Sequence, residues 1–205
     1  MEYEFLRMGI VYAHLIACCA AIGLVLMSDI AMVKQLISGN PRERMDEKHL
    51  HDLQNTVAWA LVALWATGVA IITLDASSKG LAYFANPKLQ AKITVVCLLT
   101  LNGFLLHHRV LPLMKKVGNL LSMSFSQRSF AVFAGSVSAV SWFYAALLGV
   151  GRPLNWKYSL TEILAAYPAL IVGGFVGLML LLAWARHRTG DEPHALNGTR
   201  FVGAH

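Results

Sequence analysis

The chain is 205 residues long, 57% hydrophobic and only 14% charged, with a mean hydropathy of +0.56. A soluble domain carries roughly 25% charged residues, and no water-soluble core could bury so much apolar sequence, so the solvent for most of the chain is lipid. The net charge of +6 would suit nucleic acid in a soluble protein; here the basic residues sit between apolar runs, where orientation in a bilayer explains them and nucleic acid is excluded as a partner.

Five predicted spans cover residues 6–36, 52–76, 88–113, 127–150 and 160–187, each meeting the ~20 mainly apolar residues that a crossing needs. Glu2 and Glu4 make the start acidic where a secretory signal would be basic, and the run that follows is too long for a cleaved leader. Asn40-Pro41 stops the first span, and Asn86-Pro87 places a capping residue and a proline at the start of the third. Ser159 and Glu162 form a capping-box pattern at the start of the fifth, and Gly190 follows its last basic residues, Arg186 and Arg188. Gly173-xxx-Gly177 in the fifth span and Gly135-xxx-Ala139 in the fourth permit close helix approach, within the bundle or in a homo-oligomer.

Loop charge sets a direction. With the N-terminus outside, the cytoplasmic side collects Lys34, Arg42, Arg44, Lys48, Arg109, Lys115, Lys116, Arg128, Arg186, Arg188 and Arg200, eleven of the 17 Lys and Arg. The positive-inside rule therefore favours N-out and C-in, in keeping with an odd number of spans. The expected architecture is an all-α integral membrane protein, a five-helix bundle in a bacterial-type inner membrane. Residues 1–188 form a single transmembrane domain, and 189–205 form a mobile cytoplasmic tail.

Ionisable groups inside apolar helices are costly and usually face a bundle interior. The first span carries His14 and Asp29, the third Lys92 and His107. Each pair is 15 residues apart, ~22 Å of helical rise, which predicts two layers: His14 with Lys92 toward the outside, Asp29 with His107 toward the inside. His51, Asp52 and Asn55 join the inner layer from the second span. Histidine can ligate iron, zinc or copper and can move protons near neutral pH. His14 reads either as such a ligand or as a satisfied structural histidine. Of His107 and His108, neighbours pointing about 100° apart, only one can face the interior, and both can equally sit at the interface beside Arg109. His49 and His51 lie in a charged stretch that solvent can claim. Lys92 is either an inward partner for a carboxylate or an anchor reaching outward, and Asp29 either pairs with Lys34 or holds a proton. Cys18, Cys19 and Cys97 all lie in apolar helices, as buried thiols do. No zinc-hydrolase or phosphate-loop pattern occurs.

Tyr12-Ala13-His14-Leu15 near the start of the first span and Pro87-Lys88-Leu89-Gln90-Ala91-Lys92 opening the third resemble the HemJ-type protoporphyrinogen oxidase family, and the CopD-type copper-resistance membrane proteins are similar. The resemblance covers roughly residues 8–112. The stretch Ser141-Trp142-Phe143-Tyr144-Ala145-Ala146-Leu147-Leu148-Gly149 is similar to small uncharacterised relatives of these proteins. The chain differs from the HemJ pattern in its fifth span, in Asp29, and in Leu101-Asn102-Gly103-Phe104-Leu105-Leu106-His107. The resemblance implies haem b and a functional pair at His14 and Lys92. The expected protein is thus a haem b-binding membrane redox protein, holding one or two haems and acting in electron transfer or porphyrinogen-type oxidation with quinone or porphyrinogen. His14, His107 and His108 are the candidate iron ligands, His51 and Lys92 further haem-binding residues, and Lys92 and Asp29 the candidate catalytic groups. Copper handling, with Cys18, Cys19, Cys97, Met8 and Met27 as soft donors, and a cofactor-free assembly role are the competing expectations.

Overall fold

The structure, a computed structural model, describes residues 2–38, 47–117, 120, 123–154 and 156–190, less the side chains of residues 35, 38, 47–51, 53, 152, 189 and 190. The regular elements are helices: α1 (Glu2–Ser38), α2 (Glu47–Lys79), α3 (Pro87–Leu105), α4 (Leu111–Val117), α5 (Phe125–Val150) and α6 (Leu160–Gly190). A π-helical turn, Leu106–Val110, joins α3 to α4 without a break, and no strand occurs among the described residues. Five segments are long and apolar enough to cross a membrane: Glu2–Lys34, Gln54–Lys79, Pro87–Val117, Phe125–Val150 and Leu160–Arg188. They match the five spans expected from sequence, and α2 starts earlier, at Glu47 instead of 52. The expected tail at 189–205 lies almost wholly outside the described residues.

The ends form where the sequence supplies partners for orphan backbone groups. Asn86 caps α3, its side chain accepting from Lys88 N at 3.0 Å ahead of Pro87 at the first helical position. The Ser159–Glu162 box forms as expected, with Glu162 Oε2 accepting from Ser159 N at 2.8 Å and Ser159 Oγ accepting from Glu162 N at 3.3 Å. A second box, Ser124 with Gln127, opens α5. Each such cap stabilises its helix by about 1 kcal/mol.

Large apolar side chains are exposed on every long helix, among them Phe5, Trp59, Leu101, Phe104, Phe125, Val150 and Leu180. Bare apolar surface on this scale is untenable in water and ordinary in lipid. In α2 the burial is inverted: among its described side chains, only Asp75 is buried.

α1 and α2 pair antiparallel. Tyr3 Oη donates to Leu74 O at 2.6 Å, Arg7 Nε donates to Asp75 Oδ1 at 2.8 Å, and His14 meets Thr67. Lys79 Nζ reaches Asp75 Oδ2 at 3.3 Å and lies over the Tyr83 ring, 5.0 Å from its centroid. Burial, then the negative charge of Asp75, pushes the Tyr83 phenol up from its ordinary value. Two cations thus share one buried carboxylate at the end of the bundle where α1 starts.

α3, α5 and α6 form the second packed unit. Ala91 and Val95 of α3 pack with Tyr144 and Leu148 of α5 and Ile163 and Tyr167 of α6, and Asn102 Nδ2 donates to Ala134 O at 2.9 Å. Pro168 stands inside α6, where it removes the N–H that would bond Leu164 O. Beside this gap the Tyr144 hydroxyl donates to Ile163 O, and Tyr167 Oη meets Ser141 Oγ at 2.8 Å. The close approach of α5 and α6 falls on Gly174, where a Cβ would stand 3.7 Å from Ser136 Cβ; positions 135, 173 and 177 are open. The small-residue pattern thus marked the right helices and the wrong register. Ala21 of α1, Leu99 of α3 and Trp142 of α5 join the two units in a third cluster.

The Arg7–Asp75 pair carries a measurable part of the hairpin's stability. Asp75→Ala is expected to destabilise the protein in detergent by about 1–2 kcal/mol, a value set below that of a fully buried pair because Arg7 is partly exposed. In thermal unfolding, the Arg7→Ala/Asp75→Ala double variant should lose less than the sum of the two single variants. Strict additivity would show that the pair contributes nothing.

Candidate functional site

His14 stands on the face of α1 turned to α2 and is half-buried. Its Nδ1 lies 2.7 Å from Thr67 Oγ1. The Thr67 hydroxyl proton is already committed, donating to Ala63 O at 2.6 Å one helical turn back. A hydroxyl has one proton to give and lone pairs to accept with, so His14 Nδ1 is the donor and Thr67 the acceptor. In the neutral ring the network therefore assigns the Nδ1–H tautomer, in which Nε2 keeps a bare lone pair. Gly68 follows directly: a Cβ there would sit 3.6 Å from His14 Cε1, so its lack of a side chain keeps the ring's flank open.

Lys92 comes to the same level from α3. Ala21 and Leu99 share one cluster, an offset of 78 residues between two parallel helices, and the same offset relates His14 to Lys92. Lys92 is half-buried, its ammonium faces Gly149 of α5, where a Cβ would be 4.0 Å away, and it acts electrostatically on both His14 and Cys18. No described carboxylate pairs with it. The arrangement is an imidazole held through Nδ1, a thiol one turn below, and a cation with no described carboxylate partner.

The 78-residue offset also places Asp29 level with His107, which separates this second layer from the first by ~22 Å along the axis. The layer is looser than the sequence suggests. Both His107 and His108 are exposed, which matches the second of the two alternatives, a place at the interface beside Arg109. Both lie in the π turn: His108 stacks on Phe104 with ring centroids 3.9 Å apart and bonds Phe104 O through Nδ1 at 2.9 Å, and His107 packs edge-on against His108. Asp29 is half-buried, Lys34 is exposed, and no Asp29–Lys34 pair forms. The side chain of His51 lies outside the described residues, as does that of His49. Asp52 is exposed.

Cys18, Cys19 and Cys97 are free, the latter two exposed on the apolar surface. Among the described residues no group of three or more His, Cys, Asp or Glu could hold a metal ion. Thr67 and Gly68 escaped the sequence reading. The only signal for them was the pairing register of α1 with α2, which a single sequence does not carry.

The tautomer assignment can be checked directly. Nitrogen-15 spectra of histidine-labelled protein should show one ring, lost in His14→Ala, held as the Nδ1–H form across neutral pH, and Thr67→Val should convert it to the mixed population of a free imidazole. An Nε2–H majority at His14 in the parent protein would overturn the assignment. Comparison with known protein families, with curated proteins and with solved structures finds no match to this chain.

Proposed function

We propose that this is a multi-pass inner-membrane protein, N-out and C-in, that binds one haem b through His14 and uses it in redox chemistry, either electron transfer with quinone or porphyrinogen-type oxidation. The observation that supports this most is the hydrogen bond from His14 Nδ1 to Thr67. Ligating histidines donate their second ring N–H to an acceptor that fixes tautomer and orientation, and here that acceptor is already in place beside a side-chain-free flank at Gly68.

The remaining residues fit the same group. Lys92, a cation with no described carboxylate partner at the level of His14, suits a propionate. Apolar faces of α1, α3 and α5 supply the walls, with Trp142 buried between them. A bound haem would supply a one-electron centre. The chain's own work is to hold Nε2 toward the iron, to strengthen it as a donor through Thr67, to neutralise a carboxylate through Lys92, and to keep water out. Asp29 is ~22 Å along the axis from His14, so its proposed role is proton handling at the opposite end, apart from the haem.

Copper stays the second reading because His14 and Cys18 are one turn apart on one helix and form a nitrogen–sulfur pair. The absorption spectrum of protein purified in mild detergent, after expression with added haem, separates the two. A Soret band that shifts on reduction and disappears in His14→Ala is expected; a colourless protein would end the haem reading, and stoichiometric copper in its place would promote the second. Thr67→Val should keep the haem and raise its potential by tens of mV, on the order expected when an axial histidine loses the partner that makes it more basic.

A further inference from the structure

The end of the bundle away from His14 holds a cation sealed in protein. Arg128, in the second turn of α5, is 5% exposed, and its Nη1 is shut off from solvent with no hydrogen-bond partner. The hydroxyl of the next residue, Ser129, is sealed and unpartnered in the same way. The charge acting on Arg128 is that of Arg186, from the end of α6, and it repels. No described carboxylate pairs with Arg128. A guanidinium buried without an anion is strongly disfavoured, and one buried beside another cation more so.

The surroundings add to the deficit. Among the described side chains, Lys34, Arg109, Lys115, Lys116 and Arg188 all lie exposed toward this end, against the acids Asp29 and Asp52. The start of α5 turns its positive pole the same way. Arg186 is exposed, so an anion arriving from the bilayer surface meets it first, with Arg128 behind it.

We infer that Arg128 and Arg186 bind a phosphate group, supplied by the headgroup of an anionic phospholipid. The guanidinium fork matches phosphate oxygens in pairs, and basic pockets between membrane helices at the cytoplasmic side are where such headgroups bind. The lipid source is favoured because Arg128 lies within the apolar span Phe125–Val150, next to the exposed rings of Phe125 and Phe130, where acyl chains would run. The site depends on the membrane reading of the chain and is independent of haem.

The test uses full-length protein in nanodiscs of phosphatidylcholine, alone or mixed with phosphatidylglycerol, read by native mass spectrometry of retained lipid and by Tm. The parent protein should retain phosphatidylglycerol in preference to phosphatidylcholine and gain Tm from it. Arg128→Gln should reduce that selectivity ~10-fold or more, the loss of one charge-assisted phosphate contact, and Lys116→Gln, an exposed charge at the same end, should leave it intact. Should Arg128→Gln fail to fold, Arg186→Gln carries the same expectation from an exposed position. A Tm gain from inorganic phosphate in phosphatidylcholine discs, lost in Arg128→Gln or Arg186→Gln, would keep the phosphate site and assign a soluble source. Lipid retained in its mixing ratio with no response to phosphate, or selectivity unchanged in both arginine variants, would overturn the inference. His14→Ala should keep the lipid selectivity whatever becomes of the haem, so the two readings fail separately.

Discussion

The antiparallel register of α1 on α2 is the constraint from which the rest of the candidate site follows. It is fixed at one end by a buried carboxylate, Asp75, held between Arg7 and Lys79, and midway by Ala21 among Val57, Ala60 and Leu61. Between those points His14 has no choice of neighbour: it falls on Thr67. A slip of one residue would turn Thr67 about 100° around its helix and leave the imidazole against apolar side chains. The ion cluster therefore does more than tie two helices. By setting the register it sets the tautomer of a histidine two turns away.

The two halves of the bundle solve different problems. α3, α5 and α6 bury aromatic and aliphatic side chains against one another, and the Tyr144 hydroxyl ties α5 to Ile163 O of α6. α2 buries almost nothing except Asp75 and meets α3 through a polar link, Trp65 Nε1 donating to Thr100 Oγ1 at 3.0 Å. A helix without an apolar core face is held by polar and small-residue contacts, which are the usual means of association where lipid removes the hydrophobic drive between helices. His14 and Cys18 lie toward the seam between the α1–α2 hairpin and α3, where Lys92 acts electrostatically on both.

The sequence made five spans legible because ~20 apolar residues bounded by proline, asparagine and glycine have few other readings. It also made the level of His14 with Lys92 legible, since equal spacing in two parallel helices survives any rotation about their axes. Rotation is what it concealed. No composition signal marks the π turn that holds His107: Leu106, His107, His108 and Arg109 would suit an ordinary helix. Which glycine carries the α5–α6 approach was hidden for the same reason, since Gly173, Gly174 and Gly177 differ only in the face they occupy. Arg128 read as a loop charge because its neighbours in sequence are polar, and only packing put it inside.

Charge is the thread connecting the two ends. Asp75, Lys92 and Arg128 are among the charged groups that lie wholly or partly inside this bundle. Of these three, only the acid has described counter-ions, and it has two. The chain provides no described carboxylate to either cation, although the cost of a partnerless charge is greatest where water is excluded. A fold that can place two cations around Asp75 has the means to place a carboxylate beside Lys92 or Arg128. Among the described residues both are left without a carboxylate, one at each end of the bundle and one at the level of His14, and the two proposed ligands would supply the anions. A carboxylate carried by a cofactor and a phosphate carried by a lipid are the two that a membrane helix bundle most readily meets.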